Sequence, residues 1–247
     1  MNRAQLQQQL HAYLTQHPHI VAAWEAGSAA TKTLDEYSDL DVLCVTKEDH
    51  VESTLQDILE HVRSTWKVDR EFRLPEPTWH GFSQVFLFFN DADNYVYLDL
   101  SVTKNTNPDL FTDQERHGIA NVWIDKSEIY QEKHTSAEQI QAIRQRILNS
   151  LGLDFVIILE LQKAMAREQL LDIQTNLMTF LQRFYAPVMN LVYRPEKADF
   201  GLRYVQRDWP QHEVDRLHQL FLTHGEEQKR LIQSLIDTYY QQKREIL

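Results

Sequence analysis

The sequence contains one cysteine, Cys44, so no internal disulfide can form, and its place in an apolar run predicts a buried thiol. Only 6 Gly and 7 Pro occur in 247 residues, with no low-complexity tract, which excludes a collagen-like or disordered chain. Positive charge is scarce. The 25 Lys+Arg stand against 36 Asp+Glu, a formal charge of −11, which suits neither a nucleic-acid coat nor an anionic membrane surface. No apolar run is long enough to cross a bilayer, and the opening MNRAQLQQQLHAYL is periodic where a signal peptide would be continuously apolar. The expectation is a cytoplasmic globular protein without nucleic-acid or membrane partners. At 43% hydrophobic residues the chain can bury a real core in one large or two modest domains.

The acidic excess is unevenly placed. Residues 1–130 hold 10 Lys+Arg and 21 Asp+Glu, whereas residues 131–247 hold 15 of each. Two regions with different chemical tasks follow from that split. Most of these carboxylates read as a solvated face, but any that point inward need a cation to be tolerable.

Hydrophobic spacing separates the same two regions. Residues 3–16 read as an amphipathic helix with Leu6, Leu10, Tyr13 and Leu14 on one stripe. Strands are predicted at 20–26, 40–45, 66–73, 82–90, 95–103 and 121–125, with a helix at 50–63. The turn formers Asn90-Asp91-Ala92-Asp93-Asn94 make 82–103 a hairpin. Beyond Thr135 the pattern turns helical. Ser136 and Gln139 form a capping-box signature opening a helix to about 149, and a helical stretch over 153–194 is expected to break near Asp172 or at Pro187. Further helices start near Pro210 and cover roughly 226–245. Strands first and helices last is the pattern of an α+β chain, or of an α/β domain followed by a helical bundle, with the boundary near 130–136. The expectation taken is α+β, a first domain over 1–133 with a mixed sheet and flanking helices and a helical domain over 134–247.

One constellation carries chemistry: Ala26-Gly27-Ser28, ten residues, then Asp39-Leu40-Asp41. Gly27 lets the backbone turn sharply and approach an anion, and Ser28 adds a hydroxyl beside it. Asp39 and Asp41, two apart on a predicted strand, would project from one face and seat a divalent metal. Alternation in 95–103 puts Val96, Leu98, Leu100 and Val102 on the core face, with Tyr95, Tyr97, Asp99 and Ser101 on the other. Asp99 is thus a third carboxylate, costly in mid-strand unless it is solvated or paired with a cation. The 11 His include no His-x-x-x-His pair and no Cys partner, which argues against zinc. Trp66, Trp79 and Phe82 read as core residues, with Trp79 also a candidate for the rim of a ligand cleft.

In that order, the Gly-Ser turn, the Asp-x-Asp strand and the later strand Asp resemble the polymerase-beta-like nucleotidyltransferase superfamily. Asp35-Glu36-Tyr37, Gly81-Phe82-Ser83 with Val85–Phe88, Leu98-Asp99-Leu100 and Val122–Lys126 look like the corresponding blocks of streptomycin (aminoglycoside 6-) adenylyltransferases. Lys163, Arg167 and Leu170-Leu171 look like the helix that follows that family's catalytic domain. The resemblance implies transfer of a nucleoside monophosphate from a nucleoside triphosphate, taken as ATP, to an acceptor hydroxyl with release of pyrophosphate. It implies two divalent ions, Mg²⁺ for all-oxygen ligands, on Asp39, Asp41 and Asp99, with Asp99 facing the acceptor. Gly27 and Ser28 would hold the β- and γ-phosphates. Lys163, Arg167 and Arg203 would add positive charge, although Glu160 beside Lys163 equally suggests a solvated ladder. The acidic first half favours a cationic small-molecule acceptor such as an aminoglycoside, which leaves antibiotic resistance and ordinary metabolism both open as the role. The alternatives are a lincosamide, a metabolite or a protein hydroxyl as acceptor, or a non-catalytic nucleotide-binding or antitoxin-type protein. The sequence assigns no oligomeric state.

Overall fold

Three leucines at four-residue spacing decide the first helix. In the computed structural model, which describes residues 1–247 except for the side chain of Asn94, Leu6, Leu10 and Leu14 lie fully buried along α1 (Arg3–Gln16). A reciprocal capping box between Asn2 and Gln5 closes the start of the helix. The chain then alternates β1 (Ile20–Glu25), the single-turn α2 (Gly27–Ala30), β2 (Leu40–Thr46) and α3 (Val51–Thr65). Next come β3 (Val68–Arg73), β4 (Ser83–Phe89), β5 (Tyr97–Lys104), the short α4 (Gln114–His117) and β6 (Asn121–Asp125). The six strands form one sheet in the order β3-β4-β5-β2-β1-β6. Only β2 and β5 pair in parallel, so the sheet is mixed.

The sheet has two unlike faces. One packs against α1 and α3 in a core that includes Leu40, Val42, Cys44, Val85, Leu87, Leu98, Leu100 and Val102. The 2-residue period therefore sends the intervening side chains to the opposite face. There a smaller cluster of Ala22, Trp24, Leu43, Val45, Phe82 and Leu110 covers only part of the sheet. Cys44 is completely buried, and burial pushes its thiol up to about 12.

Two compact units divide the chain, Met1–His134 and Thr135–Leu247. The second is helical: α5 (Ala137–Ser150), α6 (Asp154–Ala166), α7 (Leu170–Phe180), α8 (Ala186–Tyr193), the short α9 (Val205–Asp208), α10 (Gln211–Leu222) and α11 (Gly225–Ile246). Ser136 and Gln139 form the expected capping box at α5. The expected break near Asp172 or Pro187 lies elsewhere. The chain leaves the helix at Arg167–Gln169, where Glu168 takes φ +57 and the amide of Gln169 bonds back to the carbonyl of Ala164. Asp172 sits inside the first turn of α7, where a carboxylate suits the helix dipole. Pro187 interrupts nothing, because a π-helical turn over Leu181–Tyr185 joins α7 to α8 and the ring falls in the first turn of α8. With a sheet-bearing first unit and a helical second, the fold is α+β.

Candidate functional site

The site is built where β1 ends. The amide of Ala26 bonds to the carbonyl of Asp41 (3.0 Å), which clips the turn to β2, and Gly27 then takes φ +54. A Cβ at position 27 would lie 1.8 Å from Asp41 Oδ2, so only glycine lets the turn pass this close to that carboxylate. The α2 turn follows, closed by the amides of Ala30 and Thr31 on the carbonyls of Ala26 and Gly27. Its first N–H groups have no partner within the turn, as at any helix start. The buried hydroxyl of Ser28 makes no hydrogen bond.

Asp39 precedes β2 instead of lying on it, so the expected two-residue alternation does not set its direction. A local turn delivers it: Ser38 Oγ donates to Asp35 Oδ1 (2.8 Å), and the amide of Tyr37 donates to the same oxygen (3.0 Å). From α1, Arg3 Nε donates to the Asp39 carbonyl (2.8 Å), while Arg3 NH2 pairs with Glu25. Glu25 is 1% exposed and also accepts from Gln7 (3.0 Å) and Asn121 (3.2 Å). One guanidinium thus fastens the end of β1 to the loop that carries Asp39.

Asp41 and Asp99 are register partners in the parallel β2–β5 pair. Both are on the partly covered face, because Leu40, Val42, Leu98 and Leu100 occupy the other. Burial pushes Asp41 up to about 7, aided by the negative charges of Asp39 and Asp99 and opposed by Arg3. Burial likewise pushes Asp99 up to about 6, with Asp39 adding to the rise and a 2.7 Å hydrogen bond from Gln84 Nε2 opposing it. Tyr97, hydrogen-bonded to Asp39, is raised by its burial and by the surrounding carboxylates. These acids carry negative charge that the protein does not neutralise. Among the described residues, no three His, Cys, Asp or Glu side chains form a ready-made metal cage. A divalent cation nonetheless suits the donors present, which are all carboxylate oxygens and are short of positive charge. Asp41 and Asp99, the in-register pair, are the carboxylates it would meet, beside the unpartnered Ser28 hydroxyl.

The sequence did not single out Arg3, Glu25 or Gln84, and it named Tyr97 only as an off-core position. Gln84 was within reach, since the 82–103 hairpin puts every second residue of β4 on the face that carries Asp99. Arg3 had no local signal, because its partners are 22 and 36 residues away. Two aromatic expectations also need correction. Phe82 and, in part, Trp66 are buried, but Trp79 is 87% exposed and leans on His80 and Phe111. Tyr95 lies outside β5, in a 3₁₀ turn at φ +62, and is exposed.

The three candidate cations belong to the second unit. Lys163 forms an exposed ion pair with Glu160 (2.7 Å), as a solvated ladder would. Arg167 is the exposed residue that ends α6. Arg203 donates to the Tyr204 hydroxyl (2.9 Å) and lies over the rings of Phe200 and Tyr204. No helix among the described residues is long and apolar enough to cross a membrane.

Comparison with known proteins bears on the same region. No curated protein matches the sequence. Among solved structures, the chain is similar to the STING-associated CdnE c-di-GMP synthase of Capnocytophaga granulosa. That likeness has 11% identity, 99% coverage of this chain, 80% of the other and a TM-score of 0.33. Residues 8–79 match the family model described as a nucleotidyltransferase domain, a span that contains Gly27, Ser28, Asp39 and Asp41. The tight glycine turn against a strand carboxylate therefore lies inside the segment that matches the nucleotidyltransferase domain model.

Proposed function

We propose that this nucleotidyltransferase moves AMP from Mg²⁺-bound ATP to a hydroxyl of a small molecule and releases pyrophosphate. The observation that carries this reading is the in-register pair Asp41–Asp99, half-buried and short of positive charge, beside the Gly27 turn. Mg²⁺, when bound, supplies charge neutralisation at the α-phosphate and the leaving oxygen. Asp39 and Asp41 hold it on the donor side, and Asp99 serves the acceptor side. The Gly27 turn and the Ser28 hydroxyl offer hydrogen bonds to the triphosphate oxygens. Arg3 keeps the Asp39 backbone in place, and Gln84 fixes the orientation of Asp99. An acidic first unit attracts positively charged acceptors over negatively charged ones, in keeping with the resemblance to streptomycin adenylyltransferases.

The test is transfer of label from [α-³²P]ATP in the presence of Mg²⁺ and a panel of hydroxylated amines, aminoglycosides included. Asp39→Asn with Asp41→Asn is expected to lower transfer by about 10³-fold or more, since metal-borne charge stabilisation is worth several kcal/mol. Undiminished Mg²⁺-dependent transfer in that variant would sink the assignment.

A further inference from the structure

On a sheet face open to water, polar side chains are expected. The face that carries Asp41 and Asp99 departs from this at its β3–β4 end. Over β1 and β2 the small cluster around Trp24, Leu43 and Val45 covers it. On β5, β4 and β3 this face carries Tyr97, Phe86, Phe88 and Phe72, flanked by Gln84 and Arg70. Phe86 is the direct register partner of Asp99, and Phe72 is the partner of Phe86 one strand further out. Phe88 opposes Tyr97, and their rings stack with centroids 5.1 Å apart. Phe72 is 55% exposed and Phe88 is 41% exposed. Four contiguous aromatic rings on an uncovered face mark a contact surface, which single exposed apolar residues do not.

We propose that this strip is the acceptor platform, and that the acceptor presents a flat apolar ring face beside the hydroxyl that is modified. The inference rests on the nucleotidyl-transfer reading and extends it to the acceptor's chemistry. In-line displacement places the attacking oxygen and the departing pyrophosphate on opposite sides of the α-phosphorus. The strand order gives the site those two sides: the Gly27 turn follows β1, the carboxylates stand on β2 and β5, and the aromatic strip continues over β4 and β3. With the triphosphate at the turn, the acceptor lies over the strip. The acceptor oxygen forms its bond to the α-phosphorus as the bond to the bridging α–β oxygen breaks. Pyrophosphate takes that electron pair, and the acceptor's proton passes to a carboxylate of the site or to water. Rings at this position stack on a planar face and also accept a nearby cation, so they suit a positively charged acceptor too. A second protein copy is a poorer occupant. Edge strand β3 carries Asp69, Arg70 and Glu71, charges that discourage strand-to-strand pairing, and Arg70 at the rim of the strip is paired with Asp69 (3.3 Å).

The experiment uses the full chain and two probes that share a sugar: 4-methylumbelliferyl β-glucoside, which has a flat ring, and methyl β-glucoside, which has none. Fluorescence anisotropy is expected to show saturable binding of the first, with no competition from the second. Phe72→Ala and Phe88→Ala, at exposed positions that tolerate truncation, are each expected to weaken that binding about tenfold. Phe86→Ala should do the same with its folding checked by circular dichroism. Asp39→Asn with Asp41→Asn should keep probe binding while it loses transfer, so the platform and the metal chemistry fail separately. Absence of saturable binding, equal competition by methyl β-glucoside, or affinity unchanged in Phe72→Ala and Phe88→Ala would overturn the proposal. A change of oligomeric state in those variants would overturn it too, by showing that a second copy covers the strip.

Discussion

The two units differ in how far their buried and half-buried charges are answered. In the helical unit each buried ionic group is answered by a partner. Arg194, 3% exposed, donates to Asp208 (2.8 Å), Asn190 (2.8 Å) and the Gly201 carbonyl (3.0 Å). Asp154 accepts from the Tyr239 hydroxyl (2.7 Å) and pairs with Lys243, and Glu213 accepts from the hydroxyls of Tyr185 and Tyr193. In the sheet-bearing unit the buried Glu25 is answered in the same way, by Arg3, Gln7 and Asn121, but the half-buried Asp41 and Asp99 sit among like charges. The buried side-chain atoms without a partner among the described residues, Ser28 Oγ, Thr54 Oγ1 and Trp123 Nε1, all belong to this unit. Of these three, only Ser28 Oγ stands beside the carboxylates, since Thr54 lies in α3 and Trp123 packs against the opposite core, so the contrast rests on Asp41, Asp99 and Ser28.

Deleting one carboxylate from each unit should therefore give opposite signs. Asp208→Ala leaves the Arg194 guanidinium buried without its main counter-charge, and a loss of about 3 kcal/mol is expected in urea unfolding. Asp41→Asn removes a repelling charge, and the metal-free protein should gain stability at pH 8, by about 4 kcal/mol at most. The pH dependence sharpens this second case. Asp41 releases its proton near pH 7 when folded and near pH 4 when unfolded, so the folded state binds the extra proton. Its favourable contribution is complete below about pH 4 and disappears as pH rises through about 7. The advantage of Asp41→Asn over the parent chain should accordingly be near zero at pH 4 and largest at pH 8, as read by thermal melts in EDTA. A gap that narrows with rising pH would refute the charge-deficit account. The smallest effect belongs to Ser28→Ala. Removing an unpaired buried hydroxyl should change stability by no more than about 0.5 kcal/mol while weakening Mg²⁺-ATP binding in calorimetry.

Much of this was legible from periodicity alone. Leu6, Leu10 and Leu14, the alternation through Val85–Phe89 and Leu98–Val102, and the Ser136–Gln139 pair each marked an element that the structure contains. The lapses have physical causes. The helical stretch after residue 153 is apolar on several sides, so hydrophobic spacing did not mark its break. Glu168 ends α6 in a left-handed conformation that glycine or asparagine would have advertised. Pro187 looked like a breaker because proline removes a donor, yet a first-turn position does not need that donor. In the site, Asp41 and Asp99 followed from strand alternation. Asp39 did not, because a loop held by Ser38, Asp35 and Arg3 sets its place. Gln84 needed the hairpin register and Arg3 needed the tertiary fold. Contacts across tens of residues leave no local trace in a sequence.

The guanidinium of Arg3 grips Glu25 at the end of β1 and the backbone of Asp39 together, and it projects from the first turn of a surface helix. Displacing that first turn would therefore cost the Glu25 carboxylate its guanidinium and the Asp39 carbonyl its donor in one stroke, with every strand left in place.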